Sequence, residues 1–256
     1  MRYSNNPYGQ QQNSYGQQQS PSELFPSLWR NQEDLDRAIS SCLTRVFMRM
    51  FAALLVTAAI SYGIYQTPGA ASFLIGSPLI IIMIIAQLAV VMILSFRVMK
   101  MSPVVSNILF FTYAILTGVT LSFIFIGYEI GIIFQAFAVS ALMFAAMAIY
   151  GTITRRDLTG IGSLLFMGLI GIIIASVVNM FFWNDTVSVI ITYIGVFIFI
   201  GLTAYDTQRI KRMLTEANEN SQEDAIAKIS VIGALILYLD FINLFLRILS
   251  ILGRRR

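Results

Sequence analysis

Seven apolar runs of spanning length, at about 46–66, 79–99, 104–126, 130–150, 160–182, 186–207 and 229–252, constrain this chain more than any single motif in it. Each is close to the roughly 20 residues that a helix needs to cross the hydrocarbon core of a bilayer. With no water at that depth, backbone polar groups must be bonded within a helix or around a closed barrel. A barrel would need short segments alternating apolar and polar residues, and runs such as Ile80-Ile81-Ile82-Met83-Ile84-Ile85 do not alternate. The expected fold is therefore an all-α integral membrane protein, a seven-transmembrane helix bundle. Turn chemistry separates the runs, as at Thr67-Pro68-Gly69, Gly76-Ser77-Pro78, Ser102-Pro103, Arg155-Arg156-Asp157 and Asn184-Asp185.

Residues 1–28 read differently. Tyr8-Gly9-Gln10-Gln11-Gln12 is echoed by Tyr15-Gly16-Gln17-Gln18-Gln19, without apolar periodicity. Such a segment buries too little surface to offset its ordering entropy, so a disordered, solubilising tail is expected there, with no signal-peptide core. The transmembrane domain is expected over 29–256. It opens with an amphipathic lead-in between Arg30 and Arg45, where Asp34, Leu35, Ile39 and Leu43 recur near helical spacing.

A net charge of +4 raises the question of nucleic acid, but the basic residues stand at the ends of apolar runs and form no stripe. Topology accounts for them instead. Arg30, Arg37 and Arg45 precede the first run, and Arg97 and Lys100 follow the second. Arg155 and Arg156 follow the fourth, and Arg209, Lys211, Arg212 and Lys228 lie between the last two. The remaining loops carry no Lys or Arg, which places the N-terminus in the cytoplasm by the positive-inside rule. Arg254-Arg255-Arg256 opposes that pattern, because seven crossings put it outside. A tolerated exception is preferred here to a last segment that re-enters and returns.

The chain has one cysteine, Cys42, and no histidine. Intrachain disulfides, cysteine metal clusters and histidine-dependent catalysis are excluded. Any response to pH near neutrality falls to carboxyl groups or the N-terminal amine.

That places weight on Asp240, in the middle of the last apolar run, and on Asp206, near the end of the one before it. An unpaired carboxylate costs several kcal/mol at such depth, so an intramembrane acid is a functional candidate by default. At 100° per residue, Gly233, Ile236, Asn243 and Arg247 fall within about 60° of Asp240 on a helix. Arg247 stands about 10.5 Å along the axis, so Asn243 is the nearer polar neighbour. Such a stripe should face the bundle interior. Asp206, three residues before Arg209, reads equally well as an interfacial ion pair or as a site. Its negative charge would oppose the macrodipole if its helix ended there. From the span edges, the two aspartates differ in depth by about 15 Å. Arg49, Gln87, Gln135 and Asn179 read as packing or anchoring residues. Gly168 and Gly171 mark close helix contact, and the methionines read as core filler.

Several stretches resemble the Bax inhibitor-1 (transmembrane BAX-inhibitor-motif) family. They are Tyr113-Ala-Ile-Leu-Thr-Gly-Val-Thr-Leu-Ser-Phe-Ile-Phe125, Thr154-Arg-Arg-Asp-Leu158, Thr203-Ala-Tyr-Asp-Thr-Gln208 and Leu237-Tyr-Leu-Asp-Phe-Ile-Asn-Leu-Phe245. The likeness runs over roughly residues 30–252. It implies a seven-helix bundle with the last helix central, and a pH-sensitive calcium leak in a bacterial cytoplasmic membrane. It further implies that Asp206 and Asp240 form a proton-sharing pair, latched by a basic residue at the end of the second helix, Arg97 or Lys100. The family often carries an acid within that helix; here the nearest polar residue is Gln87. Calcium enters as the permeant ion, with no resident cofactor. Two aspartates with Asn243 and carbonyls would make a sparse, weakly binding set for it. Partners are then the lipid bilayer, calcium and protons, and no nucleic acid.

Two other functions remain open on the same residues. The family likeness also permits an interaction protein acting on a membrane protease or a stress or death-pathway partner. An intramembrane aspartyl protease would need the same two acids, but Tyr238-Leu239-Asp240 lacks the Gly-x-Gly-Asp context of such enzymes, and no enzymatic activity is expected.

Overall fold

The computed structural model describes residues 21–70, 73, 77–219 and 223–254. The part of the expected tail before residue 21 lies outside them. The described elements are helices α1 (Pro21–Gln66), α2 (Leu79–Arg97), α3 (Pro103–Leu121), the single turn α4 (Ile124–Gly127), α5 (Ile130–Ile153), α6 (Thr159–Phe182), α7 (Asp185–Glu219) and α8 (Glu223–Gly253). A 3-10 turn, Val98–Lys100, follows α2. The chain divides into two compact units, Met1–Ala38 and Ile39–Arg256. In the first, residues 21–28, expected as tail, are helical.

Seven helices are long and apolar enough to cross a membrane, one for each apolar run of the sequence. Their ends follow from local chemistry. Ser102 caps α3 by accepting from the Val105 N–H at 3.4 Å, with Pro103 as first helical residue. Asn184 opens α7 by accepting from the Val187 N–H at 3.1 Å. Arg254, just past α8, donates to Ser188 Oγ at 2.6 Å near the start of α7. The last helix therefore finishes at the end of the bundle where α7 begins, and does not turn back.

The last helix is also the core of the bundle. It packs against α3, α5, α7 and the 3-10 turn, and Leu235, Leu237, Tyr238 and Leu244 on it have no exposed surface. Thr57 donates its one hydroxyl hydrogen to the Ala114 carbonyl at 2.9 Å, so the Tyr238 hydroxyl must be the donor in its 2.7 Å contact with Thr57. Gln87 donates to Thr117 Oγ1 at 2.9 Å. These bonds tie α1, α2, α3 and α8 together in a medium with no competing water, and Gln87 is a packing residue as expected.

Two expectations need correction. Met48, Met92, Met99, Met167 and Met180 are each more than half exposed, facing outward where lipid would lie rather than filling the core. Lipid tails are as apolar as a core, so composition alone does not assign such side chains to either side. Of the two glycines read as a contact pair, Gly168 meets Ile198 whereas Gly171 faces open space. Tighter approaches than that of Gly168 lie elsewhere: Gly151 of α5 abuts the Ala204 carbonyl of α7, Gly162 of α6 abuts the Tyr205 ring, and Gly253 at the end of α8 abuts the Tyr128 ring.

Candidate functional site

Asp206 and Asp240 come together because both of their helices extend beyond the apolar runs. α7 continues thirteen residues past Asp206 to Glu219, and α8 begins at Glu223, seventeen residues before Asp240. In an antiparallel pair closing between those ends, the four-residue difference is about 6 Å of rise. The depth gap of about 15 Å inferred from the span edges is thereby reduced to about 6 Å. The same extension removes the macrodipole objection, since Asp206 sits well inside its helix.

The two residues are 9% and 5% exposed, and their carboxyls lie close enough to act directly on each other. Ionised carboxylates carry only acceptors, so a hydrogen bond between the two would require a shared proton. Asp240 Oδ2 is buried and has no hydrogen-bond partner among the described residues. Groups coupled this closely gain and lose protons as a pair. The charge acting on Asp206 from outside the pair is that of Arg209, one turn along α7.

The pair lines a cavity of about 750 Å³ between α6, α7 and α8, whose other polar residues are Thr159, Ser163, Arg209, Asn243 and Arg247. Asn243 borders the cavity while its amide donates back to the Leu239 carbonyl at 2.8 Å. Arg97 and Lys100 are exposed, and among the described residues neither forms an ion pair with Asp206. The turn that carries Lys100 is instead fastened by Lys228, whose Nζ donates to the Met99 carbonyl at 3.2 Å. Among the described residues there is no group of three or more His, Cys, Asp or Glu side chains able to hold a metal. Two carboxyls alone suit a passing cation better than a resident one.

Next to Asp206, the α5–α6 loop is clamped onto α7. Gln208 donates to the Arg156 carbonyl at 2.8 Å and accepts from the Leu158 N–H at 3.0 Å. Lys211 donates to the Thr152 carbonyl at 3.0 Å. Asp157 accepts from the Thr159 hydroxyl at 2.6 Å, the Thr159 N–H at 3.0 Å and Arg212 at 2.9 Å. The Thr159 donors, then Arg212, pull its carboxyl down from 3.8 to about 2. The sequence marks Arg212 as a topology-setting charge and Gln208 as part of a family-like stretch, but not their grip on this loop, which lies some fifty residues away.

The sign of the Asp157 effect is set by that lowering. Its contribution is complete above the ordinary carboxylate range and is lost as pH falls through about 2. Amide hydrogen exchange in residues 155–159 is expected to accelerate relative to Asp157→Asn as the pH is lowered from 3.8 toward 2. An identical pH profile in the variant would show that the loop is held by Gln208 and Lys211 alone.

Comparison with known proteins gives a consistent result. The family model described as "Inhibitor of apoptosis-promoting Bax1" matches residues 39–256. The chain is 44% identical over 219 residues to the inner membrane protein YbhL of Escherichia coli K12, covering 85% of this chain and 93% of that protein. It is 42% identical over 217 residues to a Borreliella burgdorferi protein, covering 84% and 92%. With a Deinococcus radiodurans protein it shares 37% over 220 residues, covering 86% and 93%.

Proposed function

Because the chain belongs to the Bax inhibitor-1 family, we propose that it is a pH-sensitive calcium leak channel gated by the Asp206/Asp240 pair. The observation that supports this most directly is the close pair of buried carboxyls lining a cavity between three transmembrane helices. With a proton shared, the pair ties α7 to α8 and offers little charge to a cation. Once ionised, the two carboxylates repel one another and present oxygens to calcium. Arg209 stands one turn from Asp206 on α7, and Arg97 or Lys100 would latch that aspartate after a movement of α2 toward it. Binding by so few ligands is weak, as conduction requires, since an ion must leave as readily as it enters. The protein would sit in a bacterial cytoplasmic membrane with its N-terminus in the cytoplasm, on the side of the basic loops.

Calcium flux into liposomes containing only this protein, followed across a pH series, tests the reading. The expected result is flux that varies with pH in the wild type. Flux at no pH would overturn it and favour the interaction-protein reading. Cleavage of a membrane peptide, lost in both Asp206→Asn and Asp240→Asn, would assign the pair to intramembrane proteolysis instead.

A further inference from the structure

At the end of the bundle opposite the basic loops, a second cavity of about 340 Å³ opens between the end of α6, the start of α7 and α8. Its polar lining is Ser176, Asn179, Asn184, Asp185, Ser188 and Arg247. Internal bonds occupy acceptors there. Asn179 Oδ1 takes the Asn184 N–H at 3.2 Å, Asn184 Oδ1 takes the Val187 N–H at 3.1 Å, and Ser188 Oγ takes Arg254. The two asparagine NH2 groups have no partner among the described residues, so the cavity offers donors in excess.

Arg247 dominates the electrostatics. Its side chain crosses the bare backbone of Gly195, where a Cβ would stand 3.1 Å from Nε. The guanidinium is half-buried, and no described residue forms a hydrogen bond or ion pair with it. Asp185 is the one acid in the lining, and it is exposed. Arg254, bound to Ser188, adds a second positive charge at the rim. A partly desolvated guanidinium with unfilled donors is unfavourable, and its planar fork matches a carboxylate or phosphate oxygen pair.

We propose that this cavity binds a small oxyanion, of carboxylate or phosphate type, through the Arg247 guanidinium and the side-chain amides of Asn179 and Asn184. The volume is at the low end for ligand sites, which span about 300–1,000 Å³, so a compact anion or a single lipid phosphate fits better than an extended molecule. The inference does not depend on the leak, because binding is measured directly.

The cavity carries its own reporter. Trp183, at its rim, is one of two tryptophans in the chain, so Trp29→Phe leaves it as the sole indole. In nanodiscs of phosphatidylcholine, inorganic phosphate or acetate added at constant ionic strength and pH is expected to change Trp183 fluorescence saturably and to raise the melting temperature. Arg247→Gln should weaken both effects about tenfold or more, while Arg247→Lys, which keeps the charge and serves as a folding control, should weaken them less. Nanodiscs containing phosphatidylglycerol distinguish the sources: loss of the phosphate titration there assigns the site to a lipid headgroup, and its persistence assigns it to a free anion. Absence of both the fluorescence change and the melting shift in phosphatidylcholine overturns the proposal, as does an unchanged titration in Arg247→Gln.

Discussion

The double variant Asp206→Asn/Asp240→Asn is expected to conduct calcium at a rate that no longer changes with pH, and each single variant should already lose most of that dependence. In the proposed mechanism one proton serves both carboxyls, so removing either group removes the coupled titration. The second substitution then has little left to abolish. The effects should fail to add by an amount worth about 0.5–3 kcal/mol, the range found for residues in direct contact. Asparagine preserves shape and can still hydrogen-bond across the helices, so loss of the pH response would not reflect collapse of the bundle. Liposome flux measured over the same pH series in all four proteins is the check. Strictly additive effects of the two substitutions would mean that the carboxyls act as separate sites, and the gating role of their contact would fail.

The second large effect is expected from Gly151→Ala. A Cβ at that position would fall on the Ala204 backbone carbonyl, two residues before Asp206. Backbone cannot rotate away, so α5 and α7 must separate, a form of overpacking that costs about 1–3 kcal/mol. For a chain of this size that is roughly 2–4 °C of melting temperature per kcal/mol. Gly162→Ala should cost less, since its obstacle is the Tyr205 ring, which can turn. Gly171→Ala is the control, because nothing stands within 4 Å of the added carbon. Its effect should be neutral or slightly stabilising, alanine being the better helix former by about 0.8–1.0 kcal/mol. Thermal unfolding in detergent checks the order, and a Gly151→Ala protein as stable as Gly171→Ala would refute the close approach. Because α7 carries Asp206, Gly151→Ala should also alter the pH dependence of the proposed leak.

Different residues were legible in the sequence to different degrees. Asp240 was marked by its surroundings, because an acid inside an uninterrupted apolar run is conspicuous wherever the helix packs. Asp206 was not, since its position at the edge of a run is equally the place of an interfacial ion pair. Arg247 was read as lying on the face of Asp240. That it borders two cavities depends on Gly195 of another helix, leaving room for its side chain. The clamp made by Gln208, Lys211 and Arg212 joins residues some fifty positions apart, and helical spacing carries no information at that range.

Hydropathy by itself determined the number of crossings, their helical character and the end of the bundle that carries the basic loops. Each of these follows from the cost of placing unsatisfied backbone or charge in hydrocarbon, which is a property of local composition. The residues shared with the Bax inhibitor-1 family were likewise readable one by one. Only the tertiary structure decided that Asp206 lies beside Asp240 and that Arg209 acts on Asp206. The reason is axial register. The level of a side chain depends on where its helix ends and which neighbour it packs against. α7 and α8 both run past the apolar runs into polar sequence, where hydropathy gives no boundary.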